Sequence, residues 1–255
     1  MLAGQLGIIR SATSPDSSTQ SSSQSTDKAD GGHSSNGPGT DNANGTGGVG
    51  GTDGADGDNQ DTVTDNPLKI VESGWSADQQ GYVHYAFALR NTSKTQQVQY
   101  PQITITGRAK DGSIVFSQTQ ALNMAFPNQT VYDAGQAGEG TAPETVDFTV
   151  LNPDTYNVVK AQGTAAFPIS GISKIDNRDG GTTFNGEVRA VADGFKPSDG
   201  QQIKISLVLR NAQNAIIYGD IAFVDWPGNG RSTPFSITVY DLPKYVSYDL
   251  YAQIW

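Results

Sequence analysis

Apolar and polar residues alternate along most of the chain after residue 66, which is typical of β-strands with one buried face. The clearest example is the run Val83, Tyr85, Phe87 and Leu89, in which each residue is separated from the next by a less apolar one. Such runs recur at intervals of roughly 8 to 12 residues, with Gly, Pro, Asn and Asp at the turns. No stretch sustains a period of about 3.6, so the pattern predicts antiparallel β-sandwiches without a long helix.

The strand pattern occurs twice. Ile103 and Ile114 lie in the first copy, and Ile205 and Ile216 stand 102 positions later in the second copy. A self-match at a fixed period indicates tandem units of one ancestral fold. At about 95 residues each, the copies have the size of an immunoglobulin-like sandwich.

These patterns divide the chain into four parts. Residues 1–10 are mostly apolar, and residues 11–66 are rich in Ser, Gly and Asp. Residues 67–167 hold the first copy of the strand pattern, and residues 168–255 hold the second. We therefore predict an all-β fold, with two tandem immunoglobulin-like antiparallel β-sandwiches in series after a disordered N-terminal tail.

Composition supports this division, because all 3 Trp, 10 Tyr and 9 Phe residues follow Asn66. The segment before it carries nine Asp residues against Arg10 and Lys28, a net charge of −7 out of −10 for the chain. Residues 11–66 cannot bury enough apolar surface to offset the entropy of ordering, so we expect a flexible acidic linker. Residues 1–10 are either an unstructured terminus or the remnant of a membrane or signal segment, since they are too short to span a bilayer.

One stretch of the first copy resembles a known family. Residues 89–94 (Leu-Arg-Asn-Thr-Ser-Lys) precede two alternating strands joined by Asp-Gly at residues 111–112. This order resembles the FxLYD-type immunoglobulin-like domains of bacterial envelope proteins, over roughly residues 68–150 and more weakly in the second copy. The motif that names the family is absent, since residues 104–108 read Thr-Ile-Thr-Gly-Arg. The resemblance implies an immunoglobulin-like fold and a cell-envelope location, often behind a membrane segment and a Ser-rich linker, and it supplies no catalytic residues.

Groups suited to catalysis or metal binding are scarce. The chain has no cysteine, and its only histidines are His33 in the linker and His84 in the strand that begins at Val83. Alternation places His84 opposite the apolar face, so we expect a solvent-side or edge histidine. Acid pairs such as Glu139 and Glu144 would need a defined separation across a cleft to cleave glycosides. We therefore expect no catalytic residue, no metal site, no cofactor and no enzymatic activity.

The Asp-rich end of the linker is superficially similar to a calcium-binding loop. Counted from Asp56, that loop requires Gly at its sixth position and Glu at its twelfth, where Asp61 and Pro67 stand. A solvated acidic linker explains the stretch better.

Aromatic residues near predicted turns are the remaining candidates for a functional site. Most such side chains, however, cap a sandwich core. Those that we place beside turns are Trp75, Phe126, Tyr132, Trp226 and Trp255. The alternative is a ligand platform, and its candidate residues are Phe126, Tyr132 and Trp226. Phe126 and Trp226 each precede a proline in matching loops of the two copies. The first of these loops, residues 123–144, is predicted to be long, and long loops are often functional.

The sequence favours a non-catalytic binding or spacer module on the outside of a bacterial membrane, either secreted or held at the surface as a lipoprotein or membrane-anchored protein. Expected partners are a protein or a cell-wall glycan, and membrane contact is expected only through a missing or partial N-terminal anchor. Residues 67–255 have a net charge of −3, without the basic stripe of nucleic-acid binders. Alternatives are a carbohydrate-binding module that uses Phe126 and Trp226, and a purely structural accessory domain.

Overall fold

The computed structural model describes residues 66–255, so the predicted anchor remnant and all of the predicted linker except Asn66 lie outside the described residues. Within residues 66–255 the regular elements are β-strands, apart from one 3-10 turn at Thr155–Asn157. The paired strands run antiparallel. The predicted all-β antiparallel fold is therefore confirmed.

The first copy contributes two three-stranded sheets, in the orders β1-β2-β7 and β5-β4-β8, and a smaller sheet β6-β3-β9. Its strands are β1 (Leu68–Ala77), β2 (Val83–Asn91), β3 (Gln96–Gln99), β4 (Gln102–Arg108), β5 (Ile114–Ala121), β6 (Met124–Ala125), β7 (Thr130–Ala137), β8 (Thr145–Val150), β9 (Val158–Lys160) and β10 (Thr164–Ala166). Tyr85, Phe87 and Leu89 of β2 pack against Ile103 and Ile105 of β4, so the core lies between the two larger sheets.

The second copy contributes the sheets β11-β12-β16 and β15-β14-β17. Its strands are β11 (Ile169–Asp176), β12 (Thr182–Arg189), β13 (Val191–Asp193), β14 (Gln202–Arg210), β15 (Ile216–Asp225), β16 (Ser232–Val239) and β17 (Ser247–Ile254). Phe184 and Ile237 pack against Ile205 and Leu207 in its core. Strand β10 pairs with β13, which joins the end of the first copy to the second.

The two copies share strand order and register. The β4–β5 pairing has a bulge after Gly107, and the β14–β15 pairing has one after Leu209, 102 residues later. Gly112 in the β4–β5 hairpin (φ 84°) adopts the left-handed conformation. Asn214 in the β14–β15 hairpin (φ 62°), again 102 residues later, adopts it as well. The sequence repeat is thus a structural repeat, and two sandwiches in tandem fit the predicted immunoglobulin-like arrangement.

The segment 123–144 was predicted to be a long loop, and this prediction is wrong, because the segment contains β6 and β7. A search for alternating apolar residues does not detect β7, because both of its faces are buried. Val131 lies in the core of the first copy, while the small residue Ala134 contacts the second copy. Tyr132 lies within β7, and Trp75 lies within β1, so neither flanks a turn as predicted.

The sheet β1-β2-β7 of the first copy packs face to face on the sheet β15-β14-β17 of the second. Ala86 and Ala134 are buried there against Val208 and Ile216. The four larger sheets therefore form four successive layers, and both copies belong to one compact unit. The faces of β2 and β14 that alternation predicts to be solvated are instead buried against each other.

The two sheets approach closely because glycine occupies the points of nearest contact. A Cβ atom added to Gly74 of β1 would overlap the carbonyl oxygen of Ile216. One added to Gly219 of β15 would overlap the carbonyl oxygen of Tyr85 and would meet the Cβ of Ala134 at 2.8 Å. Backbone atoms cannot move aside as a flexible side chain can, so these positions admit only glycine.

We expect Gly74→Ala to lower the free energy of unfolding by about 3 kcal/mol, because the added methyl group meets backbone on the facing sheet. Gly112→Ala is the control, since nothing lies within 4 Å of an added Cβ there. Its loss should be about 1 kcal/mol, the cost of the left-handed conformation alone. Urea unfolding followed by tryptophan fluorescence measures both values, and equal losses would contradict the close sheet contact.

Candidate functional site

A buried ion pair joins the two copies at the centre of their interface. The Nζ of Lys204 on β14 lies 2.7 Å from Oδ1 of Asp133 on β7, and the two side chains are 2% and 0% exposed. Gln253 donates a hydrogen bond from Nε2 to the same oxygen at 2.6 Å. Lys204 also lies over the ring of Trp255, with Nζ 4.6 Å from the ring centroid. Burial raises the pKa of the Asp133 carboxyl, and the charge of Lys204 opposes that rise.

A second polar contact lies at the end of β14. Arg210 forms a bidentate pair with Glu72 of the first copy, at 2.7 Å and 3.1 Å, and also binds Asp249 at 2.7 Å. Tyr132 donates to Glu72 at 2.6 Å, and its ring stacks on that of Tyr251 with centroids 3.7 Å apart. The hydrogen bonds from Arg210 hold the pKa of the Glu72 carboxyl below its ordinary value. Planar fork-to-carboxylate geometry of this kind fixes orientation as well as contributing energy.

A bulge in β1 makes the Glu72 contact possible. The pairing with β2 shifts register between Ile70 and Glu72, which leaves Val71 as the additional residue. Before the bulge Leu68 and Ile70 face the core of the first copy, and after it Glu72 and Gly74 face the second copy. Without the bulge, Glu72 would point into the apolar core, because side chains alternate along a strand.

The ion pair between Arg210 and Asp249 has a counterpart in the first copy, where Arg108 binds Asp147 at 3.0 Å. Each member of the second pair stands 102 residues after its counterpart. The side chain of Arg108 is 41% exposed, whereas that of Arg210 is 6% exposed. The same local arrangement is therefore a surface ion pair in one copy and part of the interface in the other.

Beside this interface lies an open cleft of about 650 Å³, which we name the amide cleft. One wall is formed by β3, β6 and β9 of the first copy, and the other by residues 194–201, which follow β13 of the second. Its polar and aromatic lining residues are Gln97, Gln99, Tyr100, Asn123, Lys160, Gln162, Phe195, Lys196, Ser198 and Gln201. Since the walls come from different copies, the interface described above fixes the shape of the cleft.

The amide groups in the cleft are available to a ligand. Gln97 is 8% exposed, and its side chain forms no hydrogen bond with any other residue in 66–255. The side-chain amides of Gln99, Asn123 and Gln162 likewise have no protein partner within the described range. The Gln97 amide opens into the cleft and is not sealed from solvent, so a ligand with hydroxyl or amide groups can take the place of water as its hydrogen-bond partner.

An exposed aromatic ring stands at the rim of the cleft. Tyr100 is 59% exposed and has a φ of 51°, a conformation that is costly for an aromatic residue. Its backbone N–H donates to the carbonyl of Asn123, which holds this conformation in place. Backbone strain of this kind concentrates at functional sites, and an exposed aromatic face is a platform on which a ligand stacks.

The structure places two of the three predicted ligand-binding residues beneath the cleft. Phe126 is buried in the core of the second copy and packs edge-on against Phe195, with ring centroids 5.6 Å apart. Trp226 is partly buried and contacts Phe195 and Phe167, at 6.2 Å and 5.7 Å. Phe126 therefore has no exposed ring face, and both residues support Phe195, which lines the cleft. Tyr132 is separate from them, at the interface with Tyr251.

Sequence reasoning missed the amides and lysines of the cleft, because single polar residues on strands and turns give no distinctive pattern. The one signal was the run Gln96-Gln97-Val98-Gln99, in which an amide stands at consecutive positions on both strand faces. Only Val98 of this run is buried in the apolar core, and Gln97 and Gln99 face the cleft.

His84 lies on the central strand of its sheet and packs against the second copy, so the prediction of a solvent-side or edge histidine is wrong. Its ring stacks on Tyr218 of the second copy, with centroids 4.7 Å apart, and its Nε2 lies 3.4 Å from the Asp78 carboxylate. The alternation argument correctly placed His84 opposite Tyr85, but that face meets the second copy rather than water.

Residues 66–255 contain no group of three or more His, Asp or Glu side chains arranged to hold a metal ion. In the same part of the chain, no helix has the length and apolar character that crossing a membrane requires.

The sequence matches no protein-family model and no curated protein. Among solved structures, the exo-chitosanase CsxA of Amycolatopsis orientalis aligns with 69% of this chain at 10% identity and a TM-score of 0.20. The alignment covers 24% of the chitosanase chain, and a TM-score this low carries no argument about fold or function.

Lys204→Met should lower the free energy of unfolding by about 3–5 kcal/mol, because it leaves the Asp133 carboxylate buried without its partner. Lys69→Met is the matched control, since Lys69 is exposed and forms no ion pair within the described residues. Chemical denaturation of the two variants gives the comparison. A loss for Lys204→Met as small as that of the control would show that the pair is not buried.

The contact between Glu72 and Arg210 should depend on pH. Because the folded pKa of Glu72 lies below its ordinary value of 4.5, its stabilising contribution is complete above that value and is lost as the pH falls through the folded pKa. Glu72→Gln should therefore cost about 1–3 kcal/mol at neutral pH and progressively less in acid. Unfolding free energies measured across this range test the point, with exposed Glu187→Gln as control. A cost that does not change with pH would contradict it.

Proposed function

We propose that this chain is a non-catalytic binding module of a bacterial cell surface, which takes up its ligand in the amide cleft. The observation that carries the proposal is Gln97, a buried side chain whose amide opens into the cleft without a protein partner. An amide that faces a cleft and has no protein partner can exchange its hydrogen bonds with water for hydrogen bonds with a ligand, and this supports a binding site here.

The arrangement of the two copies supports binding by a preformed site. The walls of the cleft belong to different copies, and Lys204–Asp133 and Arg210–Glu72 hold those copies in one register. Phe126 extends from the first copy into the core of the second and packs against Phe195 of the cleft. A cleft fixed in this way loses little entropy when it binds, which favours affinity.

The chemistry of the lining favours binding over catalysis. Amides and hydroxyl groups are neutral at physiological pH and donate or accept hydrogen bonds, but they are poor general acids and bases. The carboxylates of Asp133 and Glu72, which are candidates for such a role, are both engaged in ion pairs at the interface. In this account their function is to hold the two copies together.

The proposed location rests on the segment ahead of residue 66. Residues 1–65 are rich in Ser, Gly and Asp and carry a net charge of −7, a composition that we interpret as a linker. In this proposal the linker joins the folded part to a membrane or lipid anchor, so that the cleft meets a surface protein or a cell-wall glycan.

One observation favours the second candidate, a carbohydrate-binding module. Tyr100 presents an exposed ring next to several free amides, and this combination suits a ligand with flat apolar faces and many hydroxyl groups. The site is then the amide cleft, with Phe126 and Trp226 as supporting residues rather than as the platform that the sequence suggested.

Binding to purified peptidoglycan, to a glycan array and to bacterial surface proteins tests the proposal. Gln97→Met keeps the side-chain volume and removes the amide, so it should weaken binding about tenfold. Gln80→Met changes an exposed glutamine outside the cleft and should have no effect. Circular dichroism confirms that both variants fold. Binding that persists unchanged in Gln97→Met, or no binding to any of these ligands, would contradict the proposed site.

A further inference from the structure

Two lysine side chains line the amide cleft, and no acidic side chain lines it. Lys160 at the end of β9 and Lys196 after β13 both line it, and none of its fourteen lining residues is Asp or Glu. Within residues 66–255, neither lysine forms an ion pair. The two lysines reach the cleft from different copies of the repeat, so folding brings their charges together.

This local charge contrasts with the rest of the molecule. The described part of the chain carries more acidic than basic residues, and the chain as a whole has a formal net charge of −10. A cleft whose charged lining residues are all of one sign raises the local concentration of counter-ions, so two lysines in a cleft of an acidic protein attract anions to that place.

The other groups that line the cleft indicate which class of anion it binds. Gln97, Gln99 and Asn123 offer amide donors and acceptors that match hydroxyl groups, and Tyr100 offers a ring face. We infer that the amide cleft binds an acidic saccharide, with the two lysines on its carboxylates and the amides on its hydroxyl groups. This inference rests on the proposed function and names the ligand class of the same site.

An acidic peptide fits the cleft less well. Extended peptides gain affinity by adding a strand to a free sheet edge. Strand β3, which lies at the centre of the cleft wall, is already paired with β6 on one side and β9 on the other. The backbone of β3 therefore has no free edge to offer to a peptide.

Calorimetric titration with oligosaccharides of galacturonic acid, hyaluronan fragments and soluble peptidoglycan fragments tests the inference. The methyl esters of the galacturonic acid oligosaccharides are the matched neutral ligands, since they keep the hydroxyl pattern and lose the charge. The variant is Lys160→Gln/Lys196→Gln, and the control is Lys69→Gln/Lys110→Gln, which makes the same change in net charge at exposed sites outside the cleft.

We expect at least one of the acidic saccharides to bind and, if it is a galacturonic acid oligosaccharide, its ester to bind about tenfold more weakly. The cleft variant should lose about tenfold in affinity for the acidic ligand, the control variant less than about twofold, and added salt should weaken binding. Circular dichroism establishes that both double variants fold.

Three results would overturn the inference. If the ester or other neutral sugars bind as well as the acid, or if the two double variants behave alike, the ligand class is wrong and the binding module remains. If the protein binds a surface protein but no saccharide at millimolar concentration, the inference fails while the proposed function stands. If no ligand of any class binds, both fail.

Discussion

The structure depends on one ion pair, Lys204 with Asp133, buried between two sheets that belong to different copies of the repeat. Removing two charges from water is expensive, and such a pair contributes little net stability compared with apolar residues of the same size. The ion pair does fix the register of the two sheets, because any sliding of one sheet over the other would leave both charges buried and unpaired. Gln253 and Trp255 add contacts that only this register allows. The close approach at Gly74 and Gly219 follows, and with it the position of both walls of the amide cleft.

The two copies are built alike and are used differently. The exposed outer sheet of the first copy carries Thr104, Thr106 and Ser117, and the equivalent positions of the second carry Ser206, Val208 and Gly219, which form the interface. Thr106 and Ser117 are thus replaced by Val208 and Gly219, which have no hydroxyl group, whereas Ser206 keeps a hydroxyl group that is buried. The amide cleft arises where the repeat is not symmetric, because the sheet β6-β3-β9 has no counterpart in the second copy within the described residues.

Strands with one apolar and one polar face could be predicted from the sequence, because β2 and β4 bury Tyr85, Phe87, Ile103 and Ile105 on a single side. The repeat was equally visible, since its offset of 102 is preserved from β4 onward, including the bulge that the β4–β5 and β14–β15 pairings share. The interface between the two copies could not be predicted from the sequence. Ala86, Ala134 and Gly219 are too small to stand out as apolar residues, and Lys204 and Arg210 are typical of solvated faces. Strand β7 was missed for the same reason. Phe126 and Trp226 were correctly singled out as unusual, but which way they point depends on the packing of the second copy, which alternation within a strand cannot supply.

The central claim is that residues 66–255 behave as one body, in which the contact between the copies holds the cleft. Scanning calorimetry tests it most directly, since a single cooperative unit gives one unfolding transition with equal calorimetric and van't Hoff enthalpies. The account predicts one such transition for the wild-type protein. Two resolved transitions, each with the enthalpy of about half the chain, would show that the copies unfold independently and would contradict it.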